Sequence, residues 1–182
     1  MVKEPRPGRV KSRLGRDIGM VEAAWWFRRQ ATRLIRDLRD PRWEIVLAVA
    51  PDRDGLLSRV WPSELRRIPQ GGGDLGARMR RVLAATPGPT VMIGADIPGI
   101  TRAHVWEAFG ALGPNASVIG PAVDGGFWMI GLHMPGRQAT GFFRGIRWSH
   151  AETLADTLPT LPTPYATVAV LSDVDTVDDL AR

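Results

Sequence analysis

The chain contains no cysteine, which excludes disulfides, a thiolate nucleophile and a thiolate-bound metal. Histidine is scarce: His104, His133 and His150 stand without metal-ligand spacing and read as structural or surface residues. No Gly-x-Ser-x-Gly elbow occurs, so serine-hydrolase chemistry is not expected. No apolar run approaches the roughly 18 residues that span a bilayer. The basic N-terminal run lacks the apolar h-region of a signal peptide, which leaves the cytoplasm as the expected compartment. Lysine is nearly absent as well. Of 24 basic side chains only Lys3 and Lys11 are lysine, and every other positive charge is arginine.

What is present describes an ordinary globular chain. At 182 residues, 44% hydrophobic and 24% charged, one domain with a sizeable core is expected. The net charge of +5 raises the question of a polyanionic partner. Lys3, Arg6, Arg9, Lys11, Arg13 and Arg16 make a local basic patch against the single acid Glu4. Aromatic residues do not alternate with these charges and no nucleic-acid-binding motif occurs, so a nucleotide is a better match than a nucleic acid.

Hydrophobic periodicity predicts a helix over 18–40, buried strands over 43–50 and 90–94, and helices over 74–85 and 101–112. A short strand is expected over 65–69, and strands over 116–122, 127–132 and 167–171. Residues 149–158 and 177–182 read as helical. Strands alternating with helices imply a three-layer α/β/α domain with a mostly parallel, mixed sheet. Ligands in such sheets bind beyond the carboxyl ends of the strands.

That rule draws attention to the acids at strand ends. Asp96 follows TVMIG, Asp124 follows SVIGPA, and Asp173 and Asp175 follow TVAVL. Hard oxygen ligands of this kind suit Mg²⁺ or Mn²⁺ shared with substrate phosphates, although each Asp alone could be a turn former or helix cap. Lys3 and Lys11 sit in a Pro/Gly loop suited to phosphate. Gly125-Gly126 reads either as a hairpin turn with Asp124 or as backbone made accessible to a ligand. The run Gly71-Gly72-Gly73-Asp74-Leu75-Gly76 is a connector or a surface for a base and ribose, and neither glycine loop is a Walker A motif. Most of the seven tryptophans serve packing, with Trp128 and Trp148 as alternatives for walling a pocket.

Six ordered motifs carry a family resemblance over essentially the whole chain. They are K-x-P-x-P-G-x-V-K-S-R-L (Lys3 to Leu14), Q-G-G-G-D-L-G-A-R-M (Gln70 to Met79), G-A-D-I-P (Gly94 to Pro98), G-P-A-V-D-G-G-F-W-M-I-G (Gly120 to Gly131), F-R-G-I-R-W-S (Phe143 to Ser149) and D-V-D-T-V-D-D-L (Asp173 to Leu180). The chain resembles bacterial GT-A-type nucleotide-diphospho-sugar transferase-like proteins, the selenodomain-associated and arsenosugar-biosynthesis glycosyltransferase group. It is also similar to the molybdenum-cofactor guanylyltransferases. The resemblance implies a GT-A fold, a nucleotide sugar or nucleoside triphosphate with a small-molecule acceptor, and Mg²⁺ or Mn²⁺. It implies that Lys3, Gly8, Lys11 and Arg13 hold phosphates and that Gln70, Gly73, Asp74 and Gly76 meet the nucleoside. It implies Asp96, Asp124 and Asp175 as metal ligands, Gly125 and Gly126 beside the substrate, and Asp124 and Lys11 in catalysis. Glycosyl transfer leads, with nucleotidyl transfer or non-catalytic nucleotide binding as alternatives. Two departures stand out: only Met1-Val2 precede Lys3, so either the true start lies upstream or the first strand is truncated, and Ser12 replaces the commoner threonine.

Overall fold

A computed structural model describes residues 1–172 together with 174, 176, 177 and 179. The chain divides into two compact units. The first comprises 1–69, 94–102 and 173–182, and the second 70–93 and 103–172.

In the first unit the elements are β1 (Val2–Lys3), α1 (Leu14–Ile18), α2 (Met20–Asp37), β2 (Leu47–Ala50), α3 (Asp52–Leu57) and β3 (Arg67–Pro69). They form a parallel sheet in the order β1-β2-β3, with Val2 opposite Val49 and Leu47 opposite Arg67. All four residues of β2 are buried, as the continuous apolar run requires of a central parallel strand. Helix α2 turns Ala24, Phe27, Ala31 and Ile35 onto a core that also holds Val2, Val10, Leu47, Val49, Trp61 and Ala95. Each large apolar side chain in this set contributes on the order of 1.5–3 kcal/mol.

Several boundaries differ from the sequence expectation. The helix expected over 18–40 is divided at Gly19, where φ is 100°, so that α1 ends at Ile18 and α2 begins at Met20. The strand expected over 43–50 is confined to Leu47–Ala50, because its partners β1 and β3 are only two and three residues long. Upstream of it, the Trp43 indole donates to the Leu38 carbonyl at 2.9 Å and closes the end of α2. Helix α3 has no counterpart among the helices expected from the sequence.

Arg67 organises the end of α3 and the segment after it. Its guanidinium donates to the carbonyls of Ser58 at 2.7 Å, Trp61 at 2.8 Å and Leu56 at 3.0 Å, and more weakly to Gly55 and Pro62. One rigid fork thereby satisfies a stretch of chain that has no ladder of its own.

The second unit contains α4 (Leu75–Ala84), β4 (Thr90–Ile93), α5 (Arg102–Leu112), β5 (Ser117–Pro121), β6 (Phe127–Leu132), α6 (Thr153–Thr157) and β7 (Tyr165–Thr167). The sheet order is β4-β6-β5-β7. Strand β6 runs antiparallel to both β4 and β5, while β7 is parallel to β5. Sheet pairing is therefore mixed, with a shift of register at Gly120/Pro121. The strand expected over 167–171 lies instead at Tyr165–Thr167. Beyond it the Trp128 indole takes the Ala169 carbonyl at 2.8 Å, and pairing resumes only as the bridge between Ala122 and Leu171. The helix expected over 149–158 begins at Thr153, after Ser149 with φ of 57°, and continues into a 3₁₀ turn at Leu158–Thr160. Most of the terminal helix expected over 177–182 lies outside the described residues. Among the described residues no helix is long and apolar enough to cross a membrane.

Two measurements probe these supports. Arg67→Leu is expected to lower unfolding stability by about 2–4 kcal/mol, and Arg67→Lys to recover less than half of it, because an ammonium cannot reproduce the fork. Denaturant midpoints at constant slope report both. The second support is the Arg147–Asp156 pair, whose guanidinium donates to both carboxylate oxygens at 2.8 Å. Hydrogen bonds from the Arg147 side chain and backbone draw the Asp156 pKa from 3.8 to about 2. A carboxylate depressed on folding stabilises above its unfolded value, and that contribution fades as pH falls through the folded one. Thermal melts of Asp156→Asn are therefore expected to lie below wild type at pH 6 and to converge with it as the pH drops from about 4 towards 2.

Candidate active site

The basic loop of the first unit runs from β1 to α1. After Lys3, the Glu4 amide donates to the Ala50 carbonyl at 2.7 Å, and a turn closes from Arg9 to the Arg6 carbonyl. Val10 and Leu14 are buried anchors, whereas Lys3, Arg6, Gly8, Arg9, Ser12 and Arg13 are exposed. Arg6 pairs with Asp54 at 3.1 Å. Lys11 departs from this outward pattern. Its backbone takes φ of 44°, and its side chain, 6% exposed, places Nζ 2.7 Å from Asp96 Oδ2. Positive φ at a residue other than glycine costs roughly 1–2 kcal/mol and persists only where surrounding contacts over-determine it.

Asp96 reaches Lys11 because its neighbours are held. Ala95, Ile97 and Ile100 are buried, and the carboxylate between them is one-third exposed. The Met1 α-amino group senses the same carboxylate: burial lowers its pKa to about 6, and the Asp96 charge opposes that shift. The structure thus brings Lys11 and Asp96 together, with Lys3, Gly8 and Arg13 exposed on the adjoining loop. Glu4, which the sequence reading counted only as a lone acid, accepts from Ser58 Oγ at 3.0 Å and keeps its Oε2 buried without a hydrogen-bond partner. Being the one acid in a basic run was the available signal.

In the second unit the glycine run is braced by arginines and an aspartate cap. Arg81 donates to the carbonyls of Gln70 at 2.7 Å and Gly72 at 3.0 Å, and Arg78 donates to Gly73 at 2.9 Å. Asp74 caps α4 by accepting from the Ala77 amide at 2.8 Å. Gln70 is buried, while 72–74 are exposed. Gly76 is buried where a Cβ would lie 2.8 Å from Trp148 Cζ2, so its smallness seats that indole. Trp148 is half-buried and meets Phe127 and Phe143 edge-on. Trp128 is 2% exposed and belongs to the core, with its edge against His104.

Asp124 is exposed after β5, and its Oδ1 accepts from the Gly126 amide at 2.9 Å. Gly125 has φ of 84°; its carbonyl accepts from the Leu154 amide at 2.8 Å, and a Cβ there would collide with the Ala151 carbonyl. The turn is therefore real, and the close approach that Gly125 permits is to the Ala151 carbonyl. His133 and His150 hold backbone, at the Leu112 carbonyl and the Glu152 amide respectively.

The acids offer the hard oxygen donors that Mg²⁺ or Mn²⁺ prefers, and Asp96 already holds a cation in the form of Lys11. Among the described residues no group of three or more His, Asp or Glu gathers as a metal site. Asp173 and Asp175 lie outside the described residues.

Gly125→Ala, which meets both a left-handed backbone and a fixed carbonyl, is expected to cost more than the roughly 1 kcal/mol of the dihedral alone. Gly72→Ala, where nothing stands within 4 Å of the added carbon, is the matched control and should melt near wild type.

No curated protein matches the chain. Among solved structures, a putative nucleotide-diphospho-sugar transferase from Desulfovibrio desulfuricans G20 is similar to it, with 29% sequence identity and a TM-score of 0.84. The similarity covers 98% of this chain and 81% of that one. The α/β architecture expected from the sequence is therefore the fold of that transferase. Residues 34–150, more than half of the chain, match the family described as "Uncharacterized protein conserved in bacteria (DUF2064)", and the chain belongs to that family.

Proposed function

We propose that residues 1–182 act as a single GT-A-like transferase domain that moves a glycosyl group from a nucleotide-diphospho-sugar to a small acceptor. The observation that carries this reading is the inward Lys11 ammonium on Asp96, set in an otherwise outward-facing basic loop. The named activity of the Desulfovibrio protein supports the choice of donor class. Narrower kinship with the selenodomain-associated and arsenosugar-biosynthesis glycosyltransferases is part of the same proposal.

In this reading Lys3, Gly8, Lys11 and Arg13 receive the diphosphate. Lys11 balances the charge that grows on it as the glycosyl bond breaks. Residues Gln70, Gly73, Asp74 and Gly76 contribute the nucleoside side; the carbonyls that Arg78 and Arg81 fix make that backbone a rigid surface. Asp124 positions the acceptor hydroxyl or takes its proton, on a turn that Gly125 and Gly126 hold in shape. Asp96, Asp124 and Asp175 are the candidate ligands for Mg²⁺ or Mn²⁺. When bound, such an ion offsets negative charge on the diphosphate.

The test is a thermal-shift screen of UDP, GDP, their sugars and nucleoside triphosphates, each with and without Mn²⁺, followed by product analysis. A ligand that binds the native state at about 100 times its Kd stabilises by about 2.7 kcal/mol. Metal-dependent stabilisation by a nucleotide sugar, abolished by Asp96→Asn, with release of nucleoside diphosphate, is the expected result. Pyrophosphate release from a triphosphate overturns glycosyl transfer in favour of nucleotidyl transfer. Nucleotide binding that Asp96→Asn leaves unchanged removes the metal assignment.

A further inference from the structure

The Lys11–Asp96 contact constrains how the proposed site can be loaded, and the inference drawn from it rests on the transferase reading. Asp96 Oδ2 lies 2.7 Å from the Lys11 ammonium, which is almost fully buried. Mg²⁺ binds oxygen ligands at about 2.0–2.1 Å. It would stand beside a like charge that is itself shielded from water, so the two cations repel. Separating a buried ion pair is costly, and an incoming anion that meets the ammonium offsets that cost.

We propose that Lys11 and the divalent cation are alternative occupants of Asp96, so that metal enters when a diphosphate draws the lysine away. Lys11 is thereby an internal counter-ion that keeps the empty site closed to metal and couples metal binding to diphosphate binding. The side chain suits the exchange, since a lysine carries a compact charge on a flexible four-carbon stem. Its neighbours suit it too. The loop before it is exposed through Arg6–Arg9, with Gly8 at φ of 72° in open space, so an anion can approach without displacing core residues. Arginine at this position would lack that behaviour, because a guanidinium fork grips a carboxylate at two points. This offers a physical reason for lysine at a position where the chain otherwise writes arginine.

The test measures Mn²⁺ binding without any nucleotide, by calorimetry and by the electron paramagnetic resonance of free Mn²⁺. Lys11→Met is expected to bind Mn²⁺ roughly tenfold or more tightly than wild type, within the usual range of coupling between sites. Asp96→Asn removes the gain when added to Lys11→Met. Lys11→Gln, which keeps length and loses charge, replaces the methionine variant should that one fail to fold. With UDP as the diphosphate probe, wild type is expected to gain Mn²⁺ affinity beyond the metal bound by UDP in solution, and Lys11→Met to show no such gain. Equal or weaker Mn²⁺ binding by the charge-removed variants, or no Mn²⁺ binding by any of them, overturns the proposal. The two readings separate cleanly. A gain in Mn²⁺ affinity with no nucleotide binding keeps the exclusion and sinks the transferase, whereas Mn²⁺-dependent nucleotide binding with no gain on losing Lys11 does the reverse.

Discussion

An ammonium group withdrawn from water demands a carboxylate, and in this protein that demand shapes the loop on which the candidate chemistry rests. Lys11 meets Asp96 at 2.7 Å with its side chain almost fully buried. To bring it there, the backbone accepts positive φ at a residue that has a Cβ. Val10 and Leu14 hold the chain on either side, and Ala95 and Ile97 hold the segment that carries Asp96. Apolar burial fixes the positions, and the ion pair then fixes what the loop presents. Pairing of this sort is costly to break from one side, because the remaining charge is left buried.

Elsewhere the structure relies on arginine used as a clamp for main-chain carbonyls. Arg67 gathers the segment after α3, and Arg81 and Arg78 hold the glycine run before and into α4. Each exploits a planar fork of donors that a lysine does not possess. The near-exclusive use of arginine is thus put to structural use in irregular chain, where backbone groups lack a ladder to satisfy them. Rigid loops also serve binding, since a surface already ordered loses less entropy when a ligand arrives.

Much of the architecture was legible because long apolar runs and periodic segments leave few choices. The core of β2, the whole of β6 and the start of α4 after the glycine run appear where the pattern places them. Strand ends were less legible, since the length of a strand depends on its partners: β2 stops where β1 and β3 stop. The final strand stops at Thr167, and beyond it the Trp128 indole, distant in sequence, donates to the Ala169 carbonyl. Helix α3 escaped notice because six residues are too few to display a period. At the candidate site, the loop and the strand-end acids could be read from their residues, as could the turn chemistry of Asp124-Gly125-Gly126. That Gly76 seats an indole could not, because the need for a missing Cβ is set by Trp148, far along the chain.

The sequence by itself determined the α/β class, the scarcity of lysine and the presence of acids after strands, all of which are local properties of composition and period. It placed Lys11 in a basic, phosphate-seeking loop and Asp96 among metal-seeking acids, two parts of one expected site. Only the tertiary structure decided that these two face each other. Contact between residues remote in the chain depends on how buried neighbours on two elements align, and no periodicity records that alignment.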